Sequence, residues 1–194
     1  MKTGLQFAEC ALLPKWDKFT YDRMDCQGFV EAVLKDIGIR KPDGSVYDWR
    51  GSNSMYRNYY SWRGTVEECK KKLGSIPVGA FVYVWKKDGQ PETYKDSLGN
   101  FSHVGIYCGN NQVMQSGGRD SSQVAGGGVH LSTYDPNAWN YVAWVAYVDP
   151  GGTTPGPGPG PGPLPTFDYK LLYYFKKKVN MYGKHRRINR TMWL

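Results

Sequence analysis

The chain has 194 residues, of which 40% are hydrophobic and 15% aromatic, so it carries enough apolar surface for one folded domain and too much for a disordered chain. No run approaches the roughly 18 consecutive apolar residues of a membrane span, and the first residues lack the apolar region and cleavage site of a secretory signal. The formal net charge of +8 is concentrated in residues 166–194, which hold eight Lys and Arg against one acidic residue. Any attraction to a polyanion is therefore predicted to come from this tail.

The first half of the chain is predicted to be helical. Residues 5–13 are typical of a short helix, and a second helix is predicted to begin after Asp25 as its cap and to stop at Gly38, with one apolar stripe between them. Residues 41–64 are aromatic and polar without a clear period, which indicates loop or a short helix. The helices are thus expected before the strands.

From Val78 onward, short β-rich runs separated by Gly and Asn predict consecutive antiparallel strands, namely VGAFVYVWK, FSHVGIYCG, QVMQS and VAWVAYVD. Helices followed by hairpins indicate an α+β fold, with the helices packed on one face of a mostly antiparallel sheet.

The end of the chain changes in composition. Residues 150–165 are rich in Pro and Gly and are predicted to be a linker, because such a sequence can neither bury a face nor join a sheet. The chain therefore divides into a body of residues 1–149, the linker, and a basic aromatic tail of residues 166–194. The tail is below the size that forms a core unaided, so it is interpreted as a possible fragment of a larger module.

The four cysteines are expected to be free thiols, because the chain has no predicted export signal and a core large enough to do without disulfides. Their spacings and the presence of only three His argue against a structural zinc site, and no cofactor is expected. Cys26 would lie in the first turn of the second helix, where unpaired N–H groups and the helix dipole lower the pKa of a thiol and can hold an oxyanion. It is a candidate nucleophile, although a free Cys is more often only a small buried residue.

A thiol nucleophile needs a base, and His103 is the best placed of the three His. It belongs to a β-like run in which polar and apolar residues alternate, whereas His130 falls in a Gly-rich region and His185 in the tail. If the turn centred on Gly109 has three or five residues, His103 lies directly opposite Gln115, whose amide oxygen could accept a hydrogen bond from the imidazole and orient it. Taken singly, each of these residues has an ordinary structural interpretation.

DCQGFV at 25–30 resembles the DCSGF nucleophile motif of the NlpC-type papain-like cysteine peptidases, which cleave bacterial cell-wall peptides. SHVGIYCGNNQVMQS at 102–116 is similar to the base-bearing hairpin of that family, and IPVGAFVYVW at 76–85 is similar to its preceding strand. The resemblance covers roughly residues 4–149. It implies a papain-like NlpC-type fold in which Cys26 is the nucleophile, His103 the base and Gln115 the orienting residue, at a position where the family commonly has His.

The resemblance also points to substrate contacts around the nucleophile and the base. Gln27 replaces the usual Ser of the motif, and the Tyr-x-Trp-Gly-Gly segment of the family has no clean match, so Trp16 or Tyr21 is expected to supply the aromatic wall. The residues expected to bind substrate are Asp25, Gln27, Trp16, Tyr21 and Ser102.

The activity that the resemblance implies is hydrolysis of peptidoglycan stem peptides, typically between γ-D-glutamyl and the diamino acid. The linker, the basic tail and the absence of a predicted signal suggest a monomeric phage or prophage endolysin, made in the cytoplasm and released through a holin pore, whose tail contacts anionic wall polymers. Two alternatives stay open: a catalytically degenerate peptidoglycan-binding module, and amidase or transpeptidase activity on the same fold. A nucleic-acid partner is not expected, because residues 1–149 are nearly neutral in net charge and carry no recognisable nucleic-acid-binding motif.

Overall fold

The computed structural model describes residues 2–58, 60–118, 127–145 and 148–149. The predicted linker and tail lie outside the described residues, so the domain boundaries stay predictions. The described elements are, in chain order, β1 (Lys2–Thr3), α1 (Gly4–Ala11), a 3-10 turn (Pro14–Trp16), α2 (Cys26–Asp36), α3 (Ser52–Arg57), β2 (Tyr60–Thr65), α4 (Val66–Leu73), β3 (Phe81–Lys86), β4 (Asn100–Gly109), β5 (Gln112–Gly117), β6 (Gly128–Thr133), β7 (Trp139–Val145) and β8 (Val148–Asp149).

Six strands form one antiparallel sheet in the order β2-β7-β3-β4-β5-β6, and β1 pairs with β8 in a separate parallel ribbon. The predicted α+β class is confirmed, as are the strands β3, β4, β5 and β7. The sequence did not predict β2, β6 or α4. Strands β2 and β6 lie at the edges of the sheet, where a neighbouring strand is missing on one side and the alternation of apolar and polar residues is weak.

Apolar side chains pack on both faces of the sheet. Helices α1, α2 and α3 cover one face, where Phe29 and Tyr83 belong to the larger core. The opposite face carries a second core that includes Cys69 of α4 and Trp144 of β7. Helices α1 to α3 therefore lie on one face of the sheet, as predicted. Helix α4, which the sequence did not predict, lies on the other face. Its three consecutive Lys obscure the apolar stripe around Cys69. Among the described helices, none is long and apolar enough to cross a membrane.

Helix α2 begins and ends where the sequence predicts. The Asp25 carboxylate accepts a hydrogen bond from the backbone N–H of Gly28 at 2.7 Å, and Gly38 adopts a φ of 78°, which favours glycine and ends the helix. Four residues of its inner face are completely buried, and each such side chain stabilises the fold by about 1.5–3 kcal/mol: Phe29, Val30, Val33 and Leu34. Because Asp25 caps the helix and its inner face is buried, Cys26 is held in place as the first residue of α2.

The β4–β5 hairpin differs from the prediction in its turn. Gly109 pairs with Gln112, so the turn has two residues, Asn110 and Asn111, with φ of 48° and 55°. Asn tolerates this left-handed conformation, and two such residues match the twist of a tight hairpin. The predicted turn of three or five residues is wrong, and Gly105 rather than His103 lies opposite Gln115.

All four cysteines are free and buried, as the sequence predicts: Cys10, Cys26, Cys69 and Cys108.

The hydroxyl group of Tyr83 gives a test of the packing in the larger core. Tyr83 is fully buried, and its hydroxyl has no hydrogen-bond partner among the described residues. We expect Tyr83→Phe to leave the free energy of unfolding unchanged or to raise it by about 1 kcal/mol, because the substitution removes a desolvated polar group. Tyr134→Phe is the matched control, since its hydroxyl donates to the Trp139 carbonyl at 2.8 Å, and it should cost about 1 kcal/mol. Urea unfolding of the two variants would contradict this ordering if Tyr83→Phe were the more destabilised.

Candidate active site

Cys26 begins helix α2, which packs against β4, the strand that carries His103. The backbone N–H groups of Val104 and Gln27 and the hydroxyl of Tyr21 act on the Cys26 sulfur and lower the pKa of the thiol. Val104 directly follows His103, and β5 pairs with β4 only from Gly105 onward. The Val104 N–H is thus available to the thiol at the point where the two strands separate. The structure therefore brings the predicted nucleophile to the backbone of the strand that carries His103.

The thiol of Cys26 is not acidified in the free protein. Burial raises its pKa above the usual 9.0, the nearby Asp25 carboxylate adds to the rise, and the three hydrogen bonds to the sulfur only partly offset it. The N–H of Gln27 at the start of α2 does lower this pKa, as predicted, but the loss of hydration on burial is larger and the net direction is upward.

His103 is held by a chain of hydrogen bonds that starts at its Nε2 atom. The Nε2 atom lies 2.5 Å from Oε1 of Gln115, the Gln115 amide donates to Oγ of Ser132 at 2.7 Å, and Ser132 donates to the Val113 carbonyl at 3.2 Å. Because Ser132 uses its proton on a carbonyl, it must accept from the amide, which leaves the Gln115 oxygen facing the imidazole. His103 then carries its proton on Nε2 and keeps the Nδ1 lone pair as a base.

The contact between His103 and Gln115 is the predicted one, although the register is not. A diagonal reach is possible because Gly105 lies between them: a Cβ atom on Gly105 would stand 2.5 Å from Val113 and 3.3 Å from the Gln115 Cβ. The ring of Trp139 lies 5.4 Å from that of His103 and forms a further wall.

Burial lowers the pKa of His103 below 6.5, and the hydrogen bond that its Nε2–H donates to the Gln115 oxygen opposes this effect. A neighbouring imidazole, His130, lowers it further. His130 was predicted in a loop region, but it lies buried in β6, directly opposite Gln115, with Nδ1 2.8 Å from the Gly128 carbonyl. Burial therefore favours the neutral forms of both the His103 imidazole and the Cys26 thiol.

The predicted substrate-binding residues fall into two groups. Tyr21, Asp25 and Ser102 border the site: the Tyr21 hydroxyl contacts the Cys26 sulfur, Asp25 precedes Cys26 and caps its helix, and exposed Ser102 precedes His103. Their role in binding stays a prediction.

Trp16 and Gln27 have different surroundings from those expected. Trp16 is only 7% exposed, donates to the Cys10 carbonyl at 2.7 Å and packs edge-on against Phe29, so it is a core residue and not a wall of the cleft. The side-chain amide of Gln27 is bonded to Glu31 and to backbone groups near Trp49 rather than turned to solvent.

Sequence reasoning missed Ser132 and Trp139. The sequence signal for Ser132 is the alternation of Val129 and Leu131 with His130 and Ser132, which a strand places on opposite faces. Trp139 carries no such signal, because its approach to His103 depends on how β7 pairs with β3.

The hydrogen bond from His103 to Gln115 provides a direct test of the orienting role. We expect Gln115→Met to lower kcat by about 10- to 100-fold with little change in KM, because the developing imidazolium loses a hydrogen bond of about 1.5–3 kcal/mol. Gln112→Met is the control, since it makes the same change on the same strand at a side chain whose oxygen has no partner among the described residues. Equal kcat for the Gln115 variant and the wild type would rule out this role.

Within the described ranges, no cluster of three or more His, Cys, Asp and Glu side chains could hold a metal ion. The sequence model of the NlpC/P60 family matches residues 15–147, which include Cys26, His103 and Gln115. No curated protein matches the chain.

Proposed function

The chain belongs to the NlpC/P60 family, whose members are cysteine peptidases that hydrolyse peptidoglycan, and we propose that it cleaves stem peptides between γ-D-glutamyl and the diamino acid. The observation that carries the catalytic assignment is the hydrogen bond between His103 Nε2 and Gln115, which leaves Nδ1 of His103 as a base on the strand whose next residue, Val104, shares a core with Cys26.

The reaction begins with proton transfer from the Cys26 thiol to Nδ1 of His103. The sulfur forms a bond to the peptide carbonyl carbon, and the N–H groups at the start of α2 stabilise the oxyanion that results. The C–N bond then breaks as the imidazolium gives its proton to the leaving amine. Water, deprotonated by His103, hydrolyses the thioester, and the thiol recovers its proton when the acid product leaves.

The donors around the sulfur support this sequence of steps. The Val104 N–H and the Tyr21 hydroxyl stabilise negative charge on sulfur as it forms, although burial keeps the resting thiol neutral. The Gln115 oxygen stabilises the imidazolium in the same step. Gln115 bears no charge, so this support is weaker than that of a carboxylate.

We also propose, as predictions from the sequence, that the protein acts as a phage or prophage endolysin released through a holin pore and that residues 166–194 contact anionic wall polymers. The support for the second proposal is the charge of that tail, eight basic residues against one acidic residue.

The proposed bond is tested by mass spectrometry of peptides released from purified peptidoglycan by the full chain. We expect new amino termini on the diamino acid and new carboxyl termini on D-glutamate. Free intact stem peptides would instead indicate an amidase, and newly joined peptides would indicate a transpeptidase.

A degenerate binding module is the second candidate, and the observation that favours it is that an uncharged residue, Gln115, orients His103. If the wild type bound peptidoglycan tightly and released no new termini, this reading would replace the enzymatic one.

A further inference from the structure

A segment of the chain joins the two halves of the candidate active site. Residues 49–53, termed the strap, lie between helix α2 and the start of β4 and form hydrogen bonds with both. The strap is bonded at one end to the residue that follows Cys26 and at the other to a residue two positions before His103.

At the helix end, the strap is held by two side chains of α2. The Gln27 amide donates to the Trp49 carbonyl and accepts from the Gly51 N–H at 2.5 Å. Glu31 accepts from the Trp49 N–H at 2.5 Å and from the Gln27 amide at 2.8 Å. A serine, the usual residue of the family motif at position 27, is too short to bridge the two backbone groups.

At the strand end, the strap forms hydrogen bonds with both the carbonyl and the N–H of Phe101. The Ser52 hydroxyl donates to the Phe101 carbonyl at 2.6 Å, and the Asn53 amide oxygen accepts from the Phe101 N–H at 3.0 Å. Asn53 also donates to the Asn100 side chain at 2.8 Å. The pairing of β4 with β3 is irregular here, where Phe101 pairs with Trp85 and Ser102 is the extra residue.

The strand end of the strap is also held by hydrogen bonds from Arg57. Arg57 donates to the Asn53 carbonyl at 3.2 Å and to its side-chain oxygen at 3.0 Å, while the same guanidinium makes two hydrogen bonds to Asp96 at 2.6 and 3.0 Å. The Arg57 side chain is only 7% exposed, so this bidentate pair has one defined geometry. The strap is therefore fixed at the strand, and its hydrogen bonds to the helix are made by Gln27 and Glu31.

We propose that Gln27 is a positioning residue, which through the strap sets the distance between the Cys26 thiol and the His103 imidazole. This inference rests on the proposed function. Displacement of a reacting group by about 1 Å can cost on the order of 100-fold in rate, so loss of the Gln27 bonds should act on the chemical step rather than on substrate binding.

The test is the steady-state kinetics of Gln27→Met in the full chain, with soluble disaccharide-peptide fragments of peptidoglycan as the substrate. The substitution keeps the side-chain length and removes the hydrogen bonds. We expect kcat to fall about 10- to 100-fold while KM changes less than threefold. Gln6→Met is the matched control, because Gln6 Oε1 also accepts from a backbone N–H, that of Thr3 at 3.1 Å, at an exposed position on α1 outside the strap and its contacts with Arg57. It should keep the wild-type kcat.

A second pair of variants separates positioning from general stability. Glu31→Gln keeps the acceptor oxygen for the Trp49 N–H and should retain kcat within about threefold, whereas Glu31→Leu removes it and should lose kcat as Gln27→Met does. A Gln27→Met kcat within twofold of the wild type, or an equal loss in Gln6→Met, would overturn the strap proposal while leaving the proposed function intact. A wild type that releases no new termini would overturn both.

Discussion

Replacement of Cys26 by alanine is expected to lower the rate of peptidoglycan cleavage on the order of 10⁴-fold or more, because the attacking sulfur is lost and no described side chain stands in its place. Binding to peptidoglycan should remain, since the backbone of α2 and the other side chains around the cleft are unchanged. The measurement is the release of new amino termini from purified peptidoglycan by the wild type and the variant.

Cys10→Ala serves as the control for the loss of a thiol. Cys10 lies on α1 and is also buried. Its thiol donates to Asp36 of α2 at 3.2 Å, and burial raises the pKa of this thiol to about 12. This variant should cleave peptidoglycan as the wild type does. Undiminished cleavage by Cys26→Ala would remove Cys26 from the mechanism and with it the papain-like chemistry.

The second large effect concerns His103. We expect His103→Ala to lower kcat on the order of 10²- to 10⁴-fold, because the thiol then has no base and the leaving amine no acid. The pH dependence follows from the pKa directions. Burial lowers the pKa of His103 below 6.5, and the protonated imidazole cannot accept a proton, so activity of the wild type should fall as the pH drops below 6.5.

On the alkaline side the same reasoning predicts a plateau. The Cys26 pKa lies above 9.0, so a neutral thiol and a neutral imidazole persist together from about pH 7 to 9, and kcat/KM should be constant there. A resting thiolate–imidazolium pair would behave differently, since deprotonation of the imidazolium in this range would remove activity. A bell-shaped profile with a decline between pH 7 and 9 would therefore contradict the neutral pair, and the residual activity of His103→Ala should lack the acid limb.

The sequence predicts the local parts of the site well, because they depend on residues that are near in the chain. Asp25 and Gly38 bound α2 by capping chemistry, so Cys26 could be placed at a helix start without knowledge of the tertiary structure. The polar alternation of β4 placed His103 on one face in the same way, and the Gly and Asn residues between the two β-like runs indicated the hairpin, although not its two-residue turn.

The rest depends on tertiary contacts that no local pattern encodes. The effect of burial on the thiol pKa arises from packing of α2 against β4, which reversed the direction expected from the helix end alone. Gln27 was expected to touch substrate because it neighbours Cys26, yet its amide is used by Trp49 and Gly51, more than twenty residues away. The diagonal contact of His103 with Gln115 needed both the two-residue turn and the bare Gly105.

The most direct test of the central claim, attack by the Cys26 sulfur on a peptide carbonyl, is to find the acyl group on that sulfur. The full chain would be mixed with soluble peptidoglycan fragments, quenched in acid during turnover and digested for mass spectrometry. The predicted result is a thioester on the peptide that contains Cys26, carrying the γ-D-glutamyl half of the substrate. An acyl group on a different side chain, with cleavage unchanged in Cys26→Ala, would contradict the account.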